Sequence, residues 1–290
     1  MAVHSCAVFG ECTINKPVPG LACCSGRCQK YQQREKWSYD GPVKRHLLYH
    51  VYPSNGQKNR GIWQANVRQL FDSGRFEQFS TAHVAVAVDG NTDSVEDVRQ
   101  AFADSPIPVA IKEFPNDPGL REVVSHNWLW SQVPKGKNDL TFWGHTKGVT
   151  HSVAHKTVHQ WARMMYDSML DYPGIVEDQL RNLACTGAFK KLGAGWNLRE
   201  SKSQWHYTGS FVWVRNCRLP ENWAVIDRFR DGIEPWPSLH FHESEAGFLV
   251  KCASIPEMNF YNVQVFRTSI IPAFQQWSGN NQSRKQCAKT

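Results

Sequence analysis

The feature that most narrows the fold is a strict alternation of strand-like and helix-like segments over the first half of the chain. Residues 45–52 (RHLLYHVY), 82–88 (AHVAVAV), 109–114 and 141–143 read as short apolar strands. Between them, residues 62–71 (IWQANVRQLF), a segment capped by Asp93 or Ser94 that runs to Phe102, and residues 120–132 read as helices. Strands that alternate with helices make a mostly parallel sheet with right-handed crossovers, so the fold class is α/β.

The second half is less regular. Helices are expected at 155–170 and 173–182, strands between 184 and 216, and a helix at 222–229. Residues 239–250 (LHFHESEAGFLV) begin polar and are expected to end as an apolar helix. A polar tail over 278–290 is expected to be disordered. The domain expectation is a Cys-rich module over 1–41, one large domain over 42–277, and the tail.

Five of the nine cysteines fall within residues 1–41: Cys6, Cys12, Cys23, Cys24 and Cys28. The segment is too short to fold on an apolar core, so a cross-link is the expected support. Thiolates at turn spacings can surround one tetrahedral zinc, and the set chosen is Cys6, Cys12, Cys23 and Cys28, with Cys24 spare. An iron–sulfur cluster or a disulfide knot uses the same residues. Neither a secretory signal nor a membrane-length apolar run is visible, so the expected setting is soluble and cytoplasmic, which favours metal over disulfides.

The stretch around which the site is expected to form is 138–151, NDLTFWGHTKGVTH. A buried strand breaks there into His145, Thr146, Lys147 and Gly148, and open α/β sheets place ligands at such strand ends. A titratable ring, a hydroxyl and a cation then stand within three positions. A solvated turn is the plain alternative. Asp89, after the second strand, and Asn116, Asp117 and Glu122, after the third, occupy the same sheet edge. Each is also an ordinary turn, cap or helix-start residue. Gly209 opens a strand where a ligand can approach closely, followed by Ser210 and Trp213. Glu243 and Glu245 stand at a helix entrance, as a general base or as a capping box. His151, His155 and His159 are spaced by four, a weak metal pattern. GxGxxG, Walker and GxSxG motifs are absent. The net charge of +7 is spread along the chain, which suits a phosphate-bearing ligand without demanding nucleic acid, and with no basic helix or RNA-stacking motif a nucleic-acid partner is not expected.

FWGHTKGVTH, then WARMMYDSML, then TGSFVWVR together resemble the HTKG-type glycosyltransferase-like proteins of bacteria and their viruses. These are distantly similar to the rhamnan-synthesis F family, whose PN loop, H-T-K motif and G-x-F/M-F-W-x-R strand correspond here to Pro115-Asn116, His145-Thr146-Lys147 and residues 209–215. The N-terminal CAVFGECT…ACCSGRCQKY is similar to the Cys-rich segment before some such domains, with Phe9 where His is usual. The resemblance implies a GT-A-like nucleotide-diphospho-sugar transferase fold and transfer from a nucleotide-sugar to a glycan or surface polysaccharide. On that implication Asp89 and Asn116 contact the nucleotide. His145, Thr146 and Lys147 face the diphosphate and sugar, Glu245 or Glu243 deprotonates the acceptor, and Trp213 is a sugar platform or core. One departure matters: no Asp-x-Asp stands at a strand end to hold a divalent ion. Lys147 is then expected to neutralise the diphosphate without metal. The competing classes are a non-catalytic glycan- or nucleotide-binding adaptor and a zinc-containing nucleic-acid protein.

Overall fold

The computed structural model describes residues 21–24, 27–30, 41–192, 205–223, 226, 228, 232–250 and 261–287. The chain forms two compact units, Met1–Ser38 and Tyr39–Thr290. In the first, β1 (Leu21–Cys24) and β2 (Arg27–Lys30) pair antiparallel with Cys23 opposite Cys28. Cys6 and Cys12 lie outside the described residues, and so does any four-thiolate site.

In the second unit the alternation appears as β3 (Lys44–Val51), α1 (Ile62–Phe71), β4 (Thr81–Val88), α2 (Val95–Ala101), β5 (Val109–Pro115), α3 (Val123–Ser131) and β6 (Asp139–His145). Two helices follow, α4 (Lys156–Leu170) and α5 (Pro173–Leu180). Then come β7 (Cys185–Gly187), β8 (Lys190–Leu192), β9 (Trp205–Tyr207), β10 (Val212–Arg215), a short α6 (Trp236–His240) and β11 (Ala246–Phe248). The seven-stranded sheet has the order β11-β7-β10-β6-β3-β4-β5, while β8 and β9 pair separately. Only β10 runs antiparallel to its sheet neighbours. Counted along the chain, the order from the far edge is 3-2-1-4-6-5-7. Its first half is Rossmann-like, and the whole is the GT-A-like arrangement expected.

Local chemistry explains the elements. Ser94 is the cap of α2, in a capping box with Asp97. α1 and α4 each bury one apolar face, α4 through Val158, Trp161, Met165 and Met169 among others. β6 is buried at every position, as a strand covered on both faces must be. Under it, Trp213 has no exposed surface, stacks on Phe79 at 5.7 Å, tilts against Phe142 at 5.2 Å and donates its indole N–H to the Met169 carbonyl.

Two expectations change. Residues 239–250 do not end in a helix: after α6 and a short 3₁₀ turn (Glu243–Glu245), the apolar AGF becomes the edge strand β11, paired parallel with β7. A short apolar run reads alike for helix and strand, and the free edge of β7 decides it. The tail expected to be disordered from Ser278 is helical to Cys287, in α8 (Ile271–Cys287), which continues from α7 (Val263–Val265) through a π-helical turn (Phe266–Ile270). Trp277 packs edge-on to Tyr172 at 4.9 Å and holds that helix to the unit. The helix expected over 222–229 lies largely outside the described residues. No described helix is long and apolar enough to cross a membrane.

Candidate active site

Strand order reverses at β3: β4 and β5 lie to one side, β6 to the other. A crevice opens at such a switch point, beyond the carboxyl ends of the strands. Here it is a cleft of about 350 Å³ whose lining includes His50 and Tyr52 from the end of β3, Asp89 after β4, Asn116 after β5 and His145–Lys147 after β6.

On the β4–β5 side, Asp89 is engaged through both carboxylate oxygens. Its carboxylate accepts from Tyr52 Oη (3.1 Å), Asn116 Nδ2 (2.6 Å) and the Asn91 N–H (2.7 Å). Desolvation pushes its pKa up, but those three donors together hold it below the usual value. Desolvation and then the hydrogen bond to Asp89 push the Tyr52 hydroxyl up to about 12. Thr146 joins the two central strands past the end of their ladder. Its N–H donates to the His50 carbonyl (2.9 Å) and its hydroxyl accepts from the Tyr52 N–H (3.1 Å).

The cleft lining also carries a histidine–carboxylate pair. His145 Nδ1 lies 2.9 Å from Glu122 Oε1, and Nε2 donates to the Gly209 carbonyl at 3.1 Å. Burial alone would raise the Glu122 pKa, yet the charge of His145 and its hydrogen bond, with His50 behind, hold it down to about 2. His50 Nδ1 donates to Ser125 Oγ (2.8 Å), whose hydroxyl donates to the Glu122 carbonyl (3.2 Å). Desolvation lowers the His50 pKa to about 4. Two non-glycine residues with left-handed backbone flank this pair, Arg121 (φ 49°) and Ser210 (φ 61°), and both line the cleft. Such backbone costs about 1–3 kcal/mol and gathers at functional sites.

Lys147 sits on a turn that Gly148 makes possible with φ 81°. Buried Asn66 grips the Lys147 backbone on both sides, accepting from its N–H (3.0 Å) and donating to its carbonyl (3.2 Å). Tyr166 Oη braces Asn66 Oδ1 (3.0 Å) and the His145 carbonyl (3.2 Å). The Lys147 ammonium stands 4.2 Å from the centre of the Trp161 ring, a cation–π contact.

The structure therefore brings Lys147, His145, Thr146, Asp89, Asn116, Glu122 and Ser210 to one cleft. Gly209 backs it through the carbonyl that takes His145. Four expected site residues stand elsewhere. Asp117 is an exposed turn residue whose carboxylate accepts the Gly119 N–H at 2.8 Å. Trp213 is core and offers no surface to a sugar. Glu245 closes a capping box with His242 and pairs with Arg218 at 2.5 Å, while Glu243 lies 3.7 Å from Lys190. Neither glutamate lines the cleft, because β11 carries the 3₁₀ turn to the far sheet edge. Glu122 is the N-cap residue of α3, but its side chain makes no capping bond and instead pairs with His145.

Sequence reasoning missed His50, Tyr52, Arg121, Glu234 and Tyr261, all at the cleft. His50 and Tyr52 carried a signal, as polar atoms at the end of an apolar strand. Glu234 and Tyr261 carried none, because long-range packing alone delivers them. His151 lines the cleft and meets His155 edge-on (ring centres 5.3 Å), whereas His159 turns to the Ser152 carbonyl. Among the described residues no group of three His, Cys, Asp or Glu is arranged to hold a metal ion.

No family model and no curated relative matches the chain. Solved structures match at low similarity. A 4-diphosphocytidyl-2C-methyl-D-erythritol synthase from Anaerococcus prevotii DSM 20548 shares 8% identity at a TM-score of 0.40, over 71% of this chain and 86% of that one. A second synthase of that name shares 11% identity at a TM-score of 0.38, over 80% of this chain and 98% of that one. Core-mannan synthase A from Aspergillus fumigatus, in its Mn/GDP form, shares 10% identity at 0.38, over 80% and 86%. Likenesses of this size carry no assignment of activity.

Proposed function

We propose that this chain is a glycosyltransferase that takes its sugar from a nucleotide-sugar and neutralises the leaving diphosphate with Lys147 instead of a divalent ion. The observation that carries the reading is the position of Lys147, on a clamped turn at the carboxyl end of β6, at the switch point of a GT-A-like sheet. An oxygen-rich divalent site needs carboxylates with oxygens to spare. Both Asp89 oxygens are engaged by three donors, and Glu122 is paired with His145. Those bonds leave little acceptor capacity at this strand end for such an ion, which supports a metal-independent reading.

In this reading the Tyr52–Asp89–Asn116 side holds the nucleoside. Lys147 stabilises charge that grows on the diphosphate as the glycosidic bond breaks, the moment at which a fixed cation contributes most. Glu234 takes the role first given to Glu243 or Glu245: it lines the cleft, with Oε1 3.3 Å from the Gly209 N–H, and accepts the acceptor's hydroxyl proton.

The test is calorimetry with UDP, GDP and CDP and their sugar conjugates, in EDTA and in Mg²⁺ or Mn²⁺, followed by a transfer assay. Nucleotide binding that persists in EDTA is expected. Lys147→Ala should cost about 10²–10³ in kcat with the fold intact. Unchanged turnover in Lys147→Ala, or binding that requires the ion, would overturn the assignment. Tight nucleotide binding without any transfer would favour an adaptor.

A further inference from the structure

We propose that the mouth of this cleft is an acceptor subsite for an anionic saccharide. The sugar ring lies on Tyr261, and the negative charge meets the cations of the loops on either side. The proposal rests on the transferase reading above and names the class of its acceptor.

Three observations meet at this rim. The first is an exposed ring with a fixed face. Tyr261 lines the cleft and is 47% exposed, one of three large apolar or aromatic side chains so open among the described residues. It is wedged by His151 (ring centres 5.6 Å), His155 (6.3 Å) and Trp161 (6.0 Å). A ring already immobilised loses little entropy when a ligand stacks on it, and the C–H face of a pyranose is the apolar surface that such a ring accepts.

The second is one-signed charge. Residues 41–71 and 140–166 contain no Asp or Glu, but they hold Lys58, Arg60, Lys147, His151, His155, Lys156 and His159. The loops from these two stretches are joined. The Val153 N–H donates to the Lys58 carbonyl (2.8 Å), and Asn59 Nδ2 donates to the Val149 carbonyl (2.6 Å). Lys58, Arg60 and Lys156 are exposed. His155, the N-cap residue of α4, makes no side-chain capping bond and packs against Tyr261 at this rim.

The third is contrast along the cleft. Its lining carboxylates already have partners: Asp89 accepts from three donors, Glu122 pairs with His145 and Glu234 accepts the Gly209 N–H, whereas Lys58, Arg60 and Lys156 are exposed. Lys147 is committed to the diphosphate, so the outer cations are left for the acceptor. A neutral glycan would use the ring and leave those charges idle; an anionic one uses both.

The experiment uses the full chain and fluorescence anisotropy. The probes are labelled oligogalacturonate, a phosphorylated mannooligosaccharide, a neutral maltooligosaccharide of equal length, and single-stranded DNA. At least one acidic saccharide should bind about tenfold or more tighter than the neutral one, and weaken as salt rises. Tyr261→Ala should weaken it about tenfold, Tyr261→Phe should retain it, and Lys58→Ala with Lys156→Ala should remove most of the preference for charge. Which acidic probe binds tells carboxylate from phosphate. Equal binding of acidic and neutral saccharides, indifference to the rim variants, tighter binding of DNA, or no saccharide binding would each overturn the proposal. UDP and GDP calorimetry on the same proteins keeps the two readings separable. The rim variants should bind nucleotide as the parent does, and a parent that binds acidic saccharide but no nucleotide sinks the transferase reading alone.

Discussion

The Glu122–His145 pair is the most consequential contact at the scale of single residues, because it joins two loops that the chain keeps far apart. Glu122 is held at about 2 against a usual value of 4.5, so its ionised form stabilises the fold at neutral pH. The contribution, on the order of 3 kcal/mol, is complete above the unfolded value and is lost as pH falls from 4.5 towards 2. His50 acts in the same direction from higher pH. Buried and lowered to about 4, it resists a proton that the unfolded chain takes up below 6.5, so stability also falls between those values. Urea unfolding from pH 7 to 3 should show a steep loss of stability in the parent. Glu122→Gln should begin less stable and lose less on acidification; parallel curves would refute the pair's role. Glu234→Gln belongs at this scale too. It should lower kcat by about 10²–10⁴ with nucleotide affinity unchanged.

At the scale of elements, the segments that sequence placed well are those whose period and caps agree. α1, α2 with its Ser94–Asp97 box, and the buried β4 and β6 are all of this kind. Where local pattern was ambiguous, a neighbour decided: the apolar AGF became β11 because β7 offered an open edge. The loop that opens β10 is tightly determined. Gly209 has φ 93°, and a Cβ there would lie 2.4 Å from Met165 Sδ and 3.0 Å from Trp161. Gly209→Ala should destabilise by about 1–3 kcal/mol and displace the carbonyl that receives His145, to be read as a lower denaturation midpoint with raised KM. Trp213→Ala should cost about 3–5 kcal/mol from the cavity it leaves, whether or not substrate is present. A sugar platform would instead show lost affinity at unchanged stability, and complete burial argues against that result.

Across the whole molecule the sheet is a frame that gathers loops. Residues 39–290 form a unit of their own, so removing residues 1–38 should leave nucleotide binding by calorimetry within about threefold and a single cooperative unfolding transition. Loss of cooperativity would show that the Cys-rich unit is part of the core. The sequence by itself determined the α/β alternation, the parallel half-sheet and the strand ends where polar residues collect, since period, caps and glycines are local properties. It therefore made Asp89, Asn116, His145, Thr146 and Lys147 legible as one edge. Only the tertiary structure decided that Trp213 is core, that Glu243 and Glu245 are spent on a cap and an ion pair, and that Glu234 and Tyr261 reach the cleft. The physical reason is sequence distance. Glu122 meets His145, His145 meets Gly209, and His151 meets Tyr261 across long stretches of chain, and which side chain completes each contact depends on packing that no local pattern encodes.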